Sequence, residues 1–139
     1  MRQVPGYALW LGHVGDVRDL HGVLSAGIEV LVDLALEEPP AMVTRELVYC
    51  RFPLLDGTGN PPWILRAAVD TVAGLLHDGV PTLVFCGAGM SRSPIVAAAA
   101  IAKVHDLSLA RAVAEVTEDR PADLSPGLLA EVEAAIVDV

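Results

Sequence analysis

Val84-Phe85-Cys86-Gly87-Ala88-Gly89-Met90-Ser91-Arg92-Ser93-Pro94 decides how the rest of the chain reads. The run Thr82–Cys86 is short, apolar and of strand type. Gly87, Ala88 and Gly89 are small enough for the backbone to wrap closely. Pro94 suits the first turn of a helix, and an alanine-rich helix follows to about His105. Strand, small-residue loop and helix N-terminus together make an oxyanion cradle. The first helical N–H groups have no partner within the helix, and the helix dipole adds partial positive charge. Arg92 can add a bidentate fork to the oxygens of a phosphate. Cys86 stands at the first position of the loop. The features that bind an anion there also favour its thiolate, which is the nucleophilic form. The Ser93 hydroxyl can steady that thiolate. A free cysteine is by default a small buried apolar residue. The arginine six positions later and the helix immediately after set Cys86 apart from that default.

Outward from this segment, strands and helices alternate. Tyr7–Gly12 reads as a short strand. Asp16–Ala26 reads as a helix closed by Gly27. Ile28–Ala35 is a β-branched apolar run that suits a buried strand, and Glu46–Leu55 is a further strand. Asp56-Gly57-Thr58-Gly59-Asn60-Pro61-Pro62 is a turn-forming loop. After it, apolar residues from Ile64 to Leu76 fall at helical spacing, and Gly79 ends that helix. Ser108 and Ser125 are N-caps for two more helices, the second with Pro126 in its first turn. The order predicts an α/β sandwich with a mainly parallel sheet, in a single domain spanning 1–139.

Composition narrows the partners. The 139 residues carry a formal net charge of −9, with one lysine, Lys103, beside eight arginines. Nucleic-acid binding needs a basic face, and so does an anionic membrane surface, so neither is expected as a partner. Apolar residues make up 53 %, and mean hydropathy is +0.51. The richest run, Pro94–Ala102, is about half the length that a membrane span needs. The first residues lack the apolar stretch of a secretory signal, so a cytoplasmic location is the default expectation. Two cysteines, Cys50 and Cys86, are too few for a disulfide framework or a structural zinc site. His13, His21, His77 and His105 show no metal-ligand spacing. No cofactor is called for, and the oligomeric state is left open.

Cys86-x5-Arg92-Ser93 resembles the signature of the protein tyrosine phosphatase superfamily. In the form Cys-x-Ala-Gly-x-Ser-Arg-Ser it is similar to the dual-specificity branch. The likeness runs over nearly the whole chain, through Trp10-Leu11-Gly12, the Gly27-Ile28 entry into a strand, and Arg120-Pro121 with Ser125-Pro126. It implies a central sheet of four or five strands flanked by helices. It also implies attack by the Cys86 thiolate on phosphorus, with the phosphate held by Gly87, Ala88, Gly89, Met90, Ser91 and Arg92. The general acid of that family lies about 30 residues before the cysteine, at Asp56 here. A carboxyl on a mobile loop can protonate a leaving oxygen and then act as base toward water. On this reading Gly57 and Gly59 permit loop closure, and Pro61 and Pro62 anchor its far end.

The implied substrate is a phosphorylated protein or peptide, tyrosine first, with serine and threonine open if the pocket is shallow. Met90 and Gly87 put no basic residue in the cradle, which ranks phosphoinositides lower. The chain departs from the family at Phe85, where a histidine is usual. Phe85 supports an alternative, a non-catalytic phosphate-binding pseudophosphatase. Another cysteine-loop enzyme, such as an arsenate reductase, would need a resolving thiol, and only Cys50 is at hand. Asn60 suits either a turn or a role in positioning the acid or a water. Arg51 and Arg66 can border the pocket or form exposed ion pairs.

Overall fold

The computed structural model describes residues 1–118 and 122–137. Arg120 and Pro121, which contribute to the family resemblance, lie outside the described residues. Among the described residues five strands form one sheet: β1 Arg2–Gln3, β2 Leu9–His13, β3 Val30–Ala35, β4 Val48–Leu54 and β5 Thr82–Cys86. Their spatial order is β1-β2-β5-β3-β4. Only β1 runs antiparallel; the other pairings are parallel. This is the expected mainly parallel α/β sandwich, with five strands.

Among the described residues six helices cover the sheet: α1 Val14–Val17, α2 Leu20–Ser25, α3 Pro62–His77, α4 Arg92–His105, α5 Leu109–Thr117 and α6 Pro126–Val137. Side chains alternate between the two faces of each strand. Val84 and Cys86 of β5 enter the main core with α3, α4, α5 and α6. Leu83 and Phe85 enter a smaller core with Val17, Val23, Ile28 and Leu47 on the opposite face. The helix after the cradle is the most enclosed element. Every residue of α4 from Arg92 to Ala102 is buried, and α4 packs against both α3 and α5. Four consecutive alanines, Ala97–Ala100, let these helices approach closely.

Strand ends shift by one or two residues from the sequence reading, and two larger differences have a local cause. The helix expected over Asp16–Ala26 is two short helices. The Asp19 carboxylate accepts the Gly22 N–H at 3.1 Å, which restarts the helix as an N-cap and interrupts it at Arg18–Asp19. Pro62, assigned to the loop, is the first residue of α3, where its missing N–H costs nothing. Ser108 caps α5 through the Arg111 N–H, and Ser125 caps α6 through the Leu128 N–H. The two-residue β1 has too little pattern to be read from sequence. Among the described residues, no helix is long and apolar enough to cross a membrane.

Because Ala98 is wholly buried in α4, Ala98→Leu should overpack the core. It is expected to destabilise the fold by about 1–3 kcal/mol. Urea unfolding measures this, and an unchanged or higher midpoint would contradict the packing described.

Candidate active site

The parallel strands β2, β5, β3 and β4 all end on one edge of the sheet, where open α/β sheets collect ligands. In register, His13 of β2 lies beside Cys86, the last residue of β5. The chain then turns through Gly87–Ser91 and enters α4 at Arg92. Cys86 is 2 % exposed. Its Sγ accepts the Gly89 N–H at 3.2 Å and lies 3.4 Å from Ser93 Oγ. The Gly89 N–H thus donates to the sulfur, and the Ser93 hydroxyl lies where it can donate to a thiolate, which suits that thiolate both as nucleophile and as leaving group. Gly89 has a φ of +74°, and a Cβ there would come within 2.9 Å of the Gly12 carbonyl oxygen. Both facts require glycine. The outer side of the loop is tied down as well. Met90 O accepts the Asp123 N–H at 3.1 Å, and buried Ser91 Oγ accepts the Ser125 N–H at 2.8 Å.

Arg92 is 5 % exposed, so its charge needs partners. Its Nη1 donates to Glu37 Oε1 at 2.7 Å and to Leu54 O at 3.0 Å, and its Nη2 donates to Glu37 Oε2 at 2.6 Å. Leu34 O accepts a longer bond from Nη1, at 3.4 Å. The pair with Glu37 is a two-pronged charge-assisted contact. Arg92 Nε is buried and has no hydrogen-bond partner among the described residues. A buried donor left open beside a glycine-rich loop suits an incoming oxyanion. Arg92 holds its proton more firmly than a free guanidinium, chiefly through the hydrogen bond to Glu37. Burial opposes this, and the charges of Cys86, Glu37 and Asp56 add to it. The same hydrogen bond is the main reason the Glu37 carboxyl sits below the usual carboxylate range.

Glu37 was not singled out by sequence reasoning. The acidic pair Glu37-Glu38 just after a buried strand, at the edge where the cradle sits, was the available signal. Gly87 is explained by the same contact. A Cβ there would meet Glu37 Oε2 at 2.5 Å and Arg92 Nη2 at 3.0 Å. Its lack of a side chain makes room for the ion pair. Arg51 does not border the pocket. Its Nη2 donates to Ala35 O at 3.1 Å and Glu38 O at 2.6 Å, bracketing Glu37 from behind. Arg66 lines a charged groove with Asp70 and Lys103.

The remaining candidates separate clearly. Asp56 is exposed in the loop between β4 and α3, within charge range of Arg92. Asn60 is 7 % exposed and knots that loop. Its Oδ1 accepts the Leu55 N–H at 2.8 Å, and its Nδ2 donates to Leu55 O and Gly57 O, each at 3.1 Å. Asn60 thus fills the turn role, and the turn it closes is the one that carries Asp56. Phe85 is 1 % exposed and lies on the sheet face opposite Cys86. Its registered neighbour on β3 is buried Asp33. Cys50 pairs with Val32, which in turn pairs with Val84. Cys50 is thus two strands, about 9.5 Å, to the side of β5, beyond the roughly 7 Å Cα separation that a disulfide tolerates. Among the described residues, no group of three His, Cys, Asp or Glu side chains could hold a metal ion.

No protein-family model matches the chain. Dual specificity protein phosphatase 14 of Mus musculus is 31 % identical over 118 residues, covering 82 % of this chain and 58 % of the relative. The chain therefore spans little more than half the length of that curated relative. Among solved structures, human DUSP28 superposes with a TM-score of 0.81 at 23 % identity, covering 94 % of this chain and 92 % of that one. A mouse putative dual specificity phosphatase complexed with zinc tungstate also gives a TM-score of 0.81. It is 25 % identical, covering 92 % of this chain and 81 % of that one.

The Arg92–Glu37 pair should leave a signature in the pH dependence of stability. Arg92 holds the folded-state pKa of Glu37 below its unfolded value. The stabilisation is then complete above the unfolded value and is lost as pH falls through the folded one. Glu37 is 54 % exposed, so its worth is expected near the lower end for charged hydrogen bonds, about 1 kcal/mol. Denaturant unfolding of wild type and Glu37→Gln should differ by this amount at pH 7, and the gap should narrow as pH falls below the unfolded value of Glu37. A gap that does not change with pH would contradict the ionic account.

Proposed function

Since the chain is a dual-specificity-phosphatase-like member of the protein tyrosine phosphatase superfamily, we propose that it hydrolyses phosphotyrosine monoesters on proteins through a phosphocysteine intermediate. Phosphoserine and phosphothreonine are further substrates on this reading if the pocket is shallow. The observation that carries this reading is the cradle itself, with a buried cysteine at one end and a buried arginine with an open Nε at the other.

The chemistry balances on these residues alone. The phosphate seats against the loop and accepts a hydrogen bond from the Nε–H of Arg92. The Cys86 thiolate attacks phosphorus and forms the P–S bond as the P–O bond to the substrate breaks. Asp56, protonated, gives its proton to the leaving oxygen. Water then attacks the phosphocysteine, Asp56 takes a proton from it, and the P–S bond breaks. The departing thiolate is received by the Gly89 N–H and the Ser93 hydroxyl. No metal or organic cofactor enters this scheme.

A second reading, a phosphate-binding module without turnover, draws on Phe85. The ring packs in the smaller core on the opposite face from Cys86, so it leaves the cradle's own donors in place. That arrangement favours turnover. The arsenate reductase alternative loses its one available resolving thiol, because Cys50 is out of reach of Cys86.

Cys86→Ser is expected to abolish hydrolysis of a phosphotyrosine peptide while retaining inorganic phosphate binding. Asp56→Asn should slow substrates with poor leaving groups by roughly 10²–10⁴, and activated aryl phosphates far less. Wild-type turnover should survive a chelator. Steady-state kinetics and calorimetry check these points. Phosphate binding without any wild-type turnover would favour the binding module. Turnover by Cys86→Ser near the wild-type rate would sink the covalent mechanism.

A further inference from the structure

The loop that carries Asp56 has no helix or strand of its own, and its glycines leave the backbone loose in isolation. In the fold it is tied to a side chain 71 positions away from Asn60. Glu131 Oε2 accepts the Gly59 N–H at 2.7 Å, and Oε1 accepts the Asn60 N–H and Asn60 Nδ2, each at 3.2 Å. The first turn of α6 touches the same loop. A Cβ on Gly127 would come within 2.7 Å of Thr58 Cγ2. The segment leading into α6 also holds the cradle, through Asp123 N–H to Met90 O and Ser125 N–H to Ser91 Oγ. One stretch, 123–131, therefore hydrogen-bonds both halves of the site.

We propose that Glu131 is a positioning residue for the general acid, and that residues 123–131 brace the acid loop against the phosphate cradle. The proposal rests on the phosphatase reading for the role of Asp56, but not for the brace. A carboxylate is a strong acceptor for backbone N–H groups. The Gly59 N–H chiefly holds the Glu131 carboxyl below the usual carboxylate range; burial opposes it, and the two donors of Asn60 add to it. With the loop fixed, the Asp56 carboxyl stays within reach of the leaving oxygen. Without Glu131 it would spread over many positions, and proton transfer would lose its geometric advantage.

The test uses Glu131→Ala and Glu131→Gln in the full chain. For a phosphotyrosine peptide, kcat/KM of Glu131→Ala should fall roughly 10-fold, less than the full contribution of a general acid. An activated aryl phosphate should change less than about 2-fold, since it needs no proton. In an Asp56→Asn background the Glu131→Ala loss should disappear, because the two act on one step. Glu131→Gln, which keeps one oxygen acceptor, should lie between. Independently of activity, amide hydrogen exchange at Gly59 and Asn60 should quicken in Glu131→Ala while β5 and α4 stay protected. Equal losses on both substrates, or a loss that adds to Asp56→Asn, would overturn the positioning role, as would unchanged exchange. Faster exchange in a protein whose wild type hydrolyses neither substrate would leave the brace standing and overturn the phosphatase reading with its acid.

Discussion

A guanidinium almost wholly removed from water needs its charge answered, and in this chain Glu37 answers it. The pair ties together elements far apart in sequence. Arg92 begins α4, Glu37 follows β3, and the carbonyls of Leu34 and Leu54 come from the ends of β3 and β4. The consequence for chemistry is geometric. With Nη1 and Nη2 each bonded to protein groups, Nε is the guanidinium nitrogen that has no hydrogen-bond partner among the described residues. An arginine oriented before its ligand arrives loses less side-chain entropy on binding. Gly87 is fixed by the same pair, since any side chain there would displace the carboxylate.

Behind the pair stands a second layer. Arg51 clasps the carbonyls on either side of Glu37, and the Asp33 carboxylate accepts the Tyr49 hydroxyl at 2.5 Å. Tyr49 Oη in turn accepts the Ala41 N–H at 3.1 Å. Buried polar groups linked in this way give the 35–41 segment a defined course over the sheet edge. On the other face, α4 is buried from its first residue to Ala102, so the helix whose N-terminus supports the cradle cannot shift without disturbing the main core. Rigid strand, rigid helix and clamped loops together describe a site shaped in advance of its ligand.

The sequence was most informative where the determinants are local. Thr82–Cys86, the loop and the start of α4 could be read because strand pattern, small residues and helix start lie within one short stretch. Caps at Ser108 and Ser125 were readable for the same reason. Asp19 was harder, because its capping role competes with a continuous helical pattern on both sides. Partners that meet only in the fold were not readable. Glu37 meets Arg92 across 55 residues and Glu131 meets Gly59 across 72, and nothing in their neighbourhoods says which charge finds which donor. Phe85 stood out in sequence for sitting beside the cysteine. The alternation of a strand puts it on the other face, within a separate core.

In the proposed mechanism the sulfur of Cys86 carries the phosphoryl group as a covalent intermediate while the loop holds its oxygens. The most direct measurement is rapid acid quench of the wild-type chain mixed with a phosphotyrosine peptide, followed by mass analysis of the fragment containing Cys86. A single phosphoryl group on Cys86, appearing and decaying at rates that match turnover and absent in Cys86→Ser, is the predicted result. Phosphate release at the full rate, with Cys86 unmodified at every time point, would contradict it.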